Sequence, residues 1–476
     1  MNLYIKIAKD IKKLIIENKV PSGGKLPSIN SLCKKYNCSK GTIIKAYDTL
    51  CKEHLVYSFP QSGFYVVDSM MREDDGNSSV YDLSSGNPTI NSTPIQEIKH
   101  CLNTAIELYS TSSLELSLAG SPSLSKTLSK HLAREHVYCN TKNIYLSQGI
   151  LQVLTILSKM PFPNSNDTIL IEEPTYSFFV GYLKFKNKNV KTIKRDENGI
   201  DLNELEKIFK NDKIKFFYTV PRNHNPLGTY YSHSQVQAII NLAHKYNVFI
   251  VEDDYFADGC NLSRYSSIYY YSNFKNCIYL KSYTKCIPYI RIGVAIIPDE
   301  LIDTYNEWMV YSYYSSYYMP SLVSQATLES YIQSSLYDKH TLAISTTIDN
   351  KLKLIRKITK KWDSELIKLI GANSGYYATF KLSQKINCNK LIENLNNRNV
   401  YIKSNINSFY NSNNFDNSIR ISVARINKTR LKTALNIIYE EVLHLAKEEW
   451  TVALKKLVYG SFFAWIIKLI KKSQTS

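Results

Sequence analysis

The sequence predicts two unlike units in one chain: a small α+β unit of three helices and a hairpin, then a large α/β unit built on a mostly parallel sheet. Three observations carry that expectation. At 476 residues, with 44% hydrophobic and 21% charged residues, the chain is long enough for more than one domain and for a large buried core. Apolar residues recur at helical spacing through the first fifty residues and give way to two β-prone runs. From Leu83 onward, apolar strand-like runs alternate with helical segments.

In the first unit, Leu3, Ile7, Ile11, Leu14 and Ile15 lie on one face of a helix that ends before VPSGG. Ser28 then caps a second helix, SINSLCKKY, and Ser39 caps a third, KGTIIKAYDTLCKEH. Two short helices joined by a few residues make a helix-turn-helix. LVYSFPQSGFYVVD, broken at Pro60, Ser62 and Gly63, reads as a hairpin or wing. Residues 1–68 carry eleven lysines against five acidic residues, within a chain of formal net charge +18. Lysine placed around a helix-turn-helix suits the phosphates and base edges of double-stranded DNA, with Ser39, Lys40, Thr42 and Lys45 on the first turns of the third helix. A basic protein-interaction module is the competing reading.

The nine cysteines form no C-x-x-C pair and no regular spacing, which fits a reducing cytoplasm better than a disulfide framework or a zinc knuckle. The N-terminal helix lacks the apolar run of a signal peptide, and no stretch has the length of a membrane span. Residues 69–82 are polar and acidic at first, without period, and are expected to be a linker.

In the large unit, NIYLSQGILQVLTILSKM reads strand, glycine turn, helix. DTILIEEPTYSFFVGYLKF reads strand then helix, and KIKFFYTVPRNHNPLG strand then loop. Such sheets bind ligands beyond the carboxyl ends of their strands. Gly149, Tyr176, Asn225, Asp253, Tyr255 and Lys285 all fall there. Together they fit one chemistry. A lysine condenses with an aldehyde, a carboxylate keeps a heterocyclic nitrogen protonated, and an aromatic face stacks on the ring. A phenol and an amide hold a ring hydroxyl, while a glycine-initiated helix with an arginine holds a phosphate.

Two resemblances sharpen this reading. G-x-LPS (24–28), Ser39-Lys-Gly-Thr, Ala-Tyr (46–47) and SGFYVV (62–67) resemble the winged helix of GntR-type transcription factors, with Asn30 where that family usually has arginine. The resemblance implies Ser28, Ser39, Lys40, Thr42, Lys45 and Gly63 as DNA-contacting residues. SSGNP, LSQG, EEPTY, NHNPLG, VEDDYF, SYTK and IRIG, then IRISVA (419–424), resemble the fold-type I aminotransferases over residues 83–448. That family implies a mostly parallel sheet plus a smaller C-terminal α+β domain, with pyridoxal 5'-phosphate as cofactor. By motif, Lys285 is then the Schiff-base lysine and Asp253 the partner of the ring nitrogen. Tyr255 and Asn225 hold the phenolic oxygen, and Tyr176 stacks on the ring. Gly149 and Ile150 (through backbone amides), Ser282 and Arg291 hold the phosphate, and Arg420 takes the carboxylate of an amino-acid ligand. Ile150 stands where a small residue is usual, and Glu115 where an aromatic reaching the partner subunit's phosphate is usual.

The combination resembles the MocR subgroup of GntR regulators. It implies a cytoplasmic, head-to-tail homodimer that senses pyridoxal phosphate, together with a small amino compound, and alters operator binding. An active aminotransferase with an accessory DNA-binding domain, and a domain kept only as a scaffold, are the alternatives. The tyrosine-rich segment 311–320 is expected to pack in a core rather than to form a ligand box. Residues 449–476 form a basic amphipathic tail, suited to packing on protein or to lying on a membrane surface.

Overall fold

The computed structural model describes residues 3–449 except 18, 22–23, 54, 60–62, 67–78, 89–94, 110–117, 260–266, 274 and 316–318. The chain divides into two compact units, Met1–Ser78 and Ser79–Ser476. Glu115, most of the predicted linker and all of the tail beyond Glu449 lie outside the described residues.

In the first unit, α1 (Leu3–Ile16), α2 (Ile29–Tyr36) and α3 (Lys40–Lys52) precede a hairpin of β1 (Val56–Phe59) and β2 (Gly63–Val66). Ser28 Oγ accepts from Ser31 N, and Ser39 Oγ from Thr42 N, so both serines satisfy an orphan donor of a helix start. Asn37 ends α2 in the left-handed conformation, which turns the chain into α3. A separate core of Ile7, Ile11, Leu32, Ile43, Tyr47 and Leu50 with their neighbours holds the three helices together. Tyr47 binds helix to wing. Its ring stacks on Phe64 with centroids 4.0 Å apart, and its hydroxyl donates to the Pro27 carbonyl.

The second unit opens with β3 (Tyr81–Asp82), so the last two residues expected in the linker are a strand. Their backbone pairs in parallel with a strand at Val400–Tyr401, which supplies the ladder bonds an isolated linker would lack. There follow α4 (Ile95–Leu108), α5 (Pro122–Ala133), β4 (Ile144–Ser147), α6 (Ile150–Lys159), β5 (Thr168–Glu173), α7 (Ser177–Phe185) and β6 (Val190–Lys194). Next come α8 (Leu202–Asn211), β7 (Ile214–Thr219), α9 (His233–Lys245), β8 (Phe249–Asp253), α10 (Ile268–Tyr271), β9 (Cys277–Ser282) and β10 (Gly293–Ile296).

These strands form one seven-stranded sheet in the order β4-β10-β9-β8-β7-β5-β6, parallel except for β10. Four central strands, β7, β8, β9 and β10, are buried at every position, as the continuous apolar runs require when both faces are covered. Helices α11 (Ile302–Ser315), α12 (Leu322–Gln333) and α13 (Leu336–Thr359) lead into the C-terminal part. There β11 (Ile367–Ile370), β12 (Tyr377–Leu382), α14 (Cys388–Asn397), β13 (Val400–Tyr401), β14 (Lys403–Ser404) and β15 (Ser418–Ser422) are followed by a helix over 428–449. Its antiparallel sheet runs β11-β12-β15-β14.

Candidate functional site

The strand ends of the large sheet bring most of the predicted residues into one region. Asp253 closes β8 and is buried. Its Oδ2 accepts from the Tyr218 hydroxyl at 2.6 Å and its Oδ1 from the Tyr255 amide at 3.1 Å. Burial nevertheless pushes its carboxyl up to about 7, against the pull of the Tyr218 hydroxyl. The neighbouring Asp254 carboxylate raises it further, and the positive charge of Lys285 opposes the rise.

Lys285 follows β9. Its Nζ donates to the Gly86 carbonyl at 2.9 Å and to Asn87 Oδ1 at 2.8 Å, and lies 5.7 Å from the centroid of the Tyr255 ring. The SSGNP segment is thus the cradle of the lysine amine. Gly86 is needed there because a Cβ would collide with the Tyr377 hydroxyl. The Tyr255 hydroxyl donates to the Asn223 carbonyl at 2.8 Å.

Gly149 takes φ 121° as the N-cap of α6, with open space where a Cβ would stand, so Ile150 and the following residues begin that helix beside a vacant volume. Ser282, the last residue of β9, is buried, and its Oγ accepts from Thr284 N at 3.4 Å. Arg291 is exposed and adopts the left-handed conformation at φ 45°. Tyr176 begins α7, half-buried. Desolvation raises its hydroxyl pKa well above the usual range, with the Asp253 charge adding to the rise and Arg291 opposing it.

Arg420, on β15, reaches this region from the C-terminal sheet. Its Nη1 donates to Asn225 Oδ1 at 3.2 Å and its Nη2 to the Ser84 carbonyl at 2.8 Å. Its guanidinium carbon stands 4.6 Å from the Tyr377 ring centroid. The Nε is buried and has no partner among the described residues. Asn225 therefore faces Arg420 here, whereas Tyr255 is tied to Asn223.

Four contributors escaped the sequence reading. Tyr218 and Tyr377 carry no signal that separates them from the other tyrosines of the chain, and Asn223 opens the motif NHNPLG without that position showing what it faces. Asn87 stood inside the quoted SSGNP, and only the fold shows what it faces.

In the first unit, Lys40 and Lys45 are exposed on α3, and Lys45 Nζ lies 4.8 Å from the centroid of the Tyr4 ring. Ile44, 42% exposed, shares that surface and was not anticipated. An apolar side chain on a recognition helix suits a thymine methyl group. Gly63 opens β2 at φ 116°, a conformation that side chains rarely adopt. Among the described residues no helix is long and apolar enough to cross a membrane.

Comparison with known proteins agrees with this division. Residues 3–66 match the family model for bacterial regulatory proteins, gntR family, and residues 78–438 match aminotransferase class I and II. The chain is 35% identical over 345 residues to the uncharacterized HTH-type transcriptional regulator YcxD of Bacillus subtilis (strain 168), a match covering 71% of this chain and 76% of that one. It is 25% identical to the HTH-type transcriptional regulator NorG of Staphylococcus aureus (strain USA300), over 88% of this chain and 99% of that one. A multiple substrate aminotransferase from Thermococcus profundus shares the fold, with a TM-score of 0.70 at 19% identity over 80% of this chain and 97% of its own. The chain therefore belongs to the GntR-type helix-turn-helix transcriptional regulators that carry an aminotransferase class I and II domain, the arrangement of the MocR subgroup, and the cofactor of that domain is pyridoxal phosphate.

Proposed function

We propose that the aminotransferase-like domain is the sensory part of this DNA-binding regulator, reading pyridoxal phosphate and a small amino compound at the strand ends. The observation that supports this most is Asp253. A buried carboxyl whose pKa burial raises to about 7, with Tyr218 its one side-chain hydrogen-bond donor among the described residues, gains a charge partner when a protonated ring nitrogen enters. The residues present fit the cofactor in other respects. Gly149 leaves open space at the start of α6, where backbone amides of Ile150 and the next residues suit a phosphate.

When bound, pyridoxal phosphate supplies an aldehyde that condenses with amines and a ring that accepts electron density. In this reading Lys285 provides the amine of attachment, and Gly86 and Asn87 hold that amine until the ligand arrives. Ser282 and Arg291 complete the phosphate cup. Tyr176 covers the ring face, and Tyr255 with Asn225 faces its oxygen. Arg420, with an unsatisfied Nε, takes the carboxylate of the amino compound. Ser28, Ser39, Lys40, Thr42, Lys45 and Gly63 serve the DNA side.

We assign the protein to the cytoplasm and to a homodimer, head to tail. Transamination is a second reading, favoured by Arg420 and Asn225 standing together.

The test is borohydride reduction of the protein carrying pyridoxal phosphate, followed by peptide mapping. Label is expected on Lys285, with Lys285→Ala showing neither label nor a visible-edge absorbance band. Label spread over surface lysines, with Lys285 untouched, would overturn the assignment.

A further inference from the structure

At the amino ends of the same sheet, where β7 begins, lies a cavity of about 560 Å³ whose lining includes none of the residues assigned above. Its described lining contains four lysines, Lys159, Lys186, Lys188 and Lys215, and one acidic residue, Asp167. Lys215, the second residue of β7, is buried. Its Nζ donates to the Ser158 carbonyl at 3.3 Å and lies 5.0 Å from the centroid of the Phe162 ring. Neither partner carries a negative charge. Asp167 offsets only part of the lysine excess; its carboxylate accepts from Asn189 Nδ2 at 2.7 Å and from the Thr168 hydroxyl at 3.4 Å.

Lys188 and Lys215 line the same cavity; burial pulls the Lys215 ammonium down to about 8, the charge of Lys188 pushes the same way, and that of Asp167 opposes them. A buried ammonium whose hydrogen-bond acceptor is a neutral carbonyl destabilises the fold, and the excess of lysine over carboxylate in the same lining adds repulsion. An anion seated among the lysines removes both costs.

We propose that this cavity binds a small multivalent anion of the phosphate monoester class, held by Lys188 and Lys215. Four lysines against one carboxylate in a single lining suit a dianion, and a phosphate monoester carries nearly two negative charges at neutral pH. The volume is that of a small-molecule site. The exposed Lys159 and Lys186 add positive potential that draws the anion in.

Differential acetylation of the full-length protein tests this. The protein is first loaded with pyridoxal phosphate and freed of excess, so that the phosphate cup at the carboxyl ends is filled. Limiting acetic anhydride is then applied in chloride, inorganic phosphate or glycerol phosphate at one pH and ionic strength, and each lysine is quantified by mass spectrometry. Both phosphate compounds are expected to slow labelling of Lys188 and Lys215 about threefold at twice the dissociation constant, and to leave the exposed Lys210 unchanged. Lys215→Met, which keeps an unbranched chain against Phe162, should remove the protection at Lys188. Equal labelling in all three salts would overturn the proposal. So would protection by a DNA duplex added in a further chloride sample with none from either phosphate compound, which would make the lysines a nucleic-acid contact.

Discussion

The two units use lysine in opposite ways. On α3 of the small unit, Lys40 and Lys45 stand exposed, as side chains offered to a phosphate backbone would. In the large unit Lys281 is fully buried, 2.5 Å from Glu135 and 3.0 Å from Asp258, and it exists only as part of that cluster. Lys285, four residues on, is half-buried and held by neutral acceptors, a carbonyl and an amide, from which a ligand can displace it. Exposure suits a contact that must be made and broken over a long polyanion. Burial with charge pairing suits a scaffold, and partial burial with neutral partners suits a reactive amine.

The comparison breaks most sharply at the small core. Tyr47→Ala removes a fully buried ring that stacks on Phe64, which should destabilise the unit by about 3–5 kcal/mol. A unit of this size holds few such kcal/mol in reserve. The expected outcome is loss of DNA binding with the cofactor spectrum intact, read on one sample by anisotropy and absorbance. Loss of both together would show that the two units do not fold independently.

A smaller effect sharpens the view of the large unit. In the cofactor-free protein the folded state keeps the Asp253 proton up to about 7, while an unfolded carboxyl releases it near 3.8. Between those values the folded state binds more protons, so this group's contribution to stability falls as pH rises, and the loss is complete above pH 7. Asp253→Asn should therefore flatten the decline of the large unit's stability between about pH 5 and 7 by on the order of 1 kcal/mol per pH unit. An unchanged slope would place the titration elsewhere.

The smallest effect lies on the surface. Lys40→Ala with Lys45→Ala should weaken operator binding uniformly and reduce the slope of log affinity against log salt by about 2. Folding should be unaffected, since both side chains are exposed. An unchanged salt slope would remove α3 from the interface.

Legibility from sequence differed between the units for physical reasons. Helix caps act locally, so Ser28 and Ser39 announced α2 and α3 by composition alone. Strand ends of the parallel sheet were also legible, because buried strands must be continuous apolar runs and their polar ends stand out. That is how Asp253 and Lys285 could be singled out. Tertiary partners left no such trace. Tyr218 meets Asp253 across neighbouring strands, and Asn87 meets Lys285 over 198 positions of chain. Neither residue type nor spacing encodes those pairings. The strand at Tyr81–Asp82 was missed because two residues show no period, and its partner lies more than 300 positions away.

Operator affinity with and without pyridoxal phosphate, measured in parallel for the wild type and Lys285→Ala, tests the central claim most directly. If the amine at the strand ends is the sensor, the wild-type affinity shifts when the cofactor binds, and the variant stays at the cofactor-free value throughout. A variant that responds like the wild type, or a wild type that does not respond at all, would contradict the account.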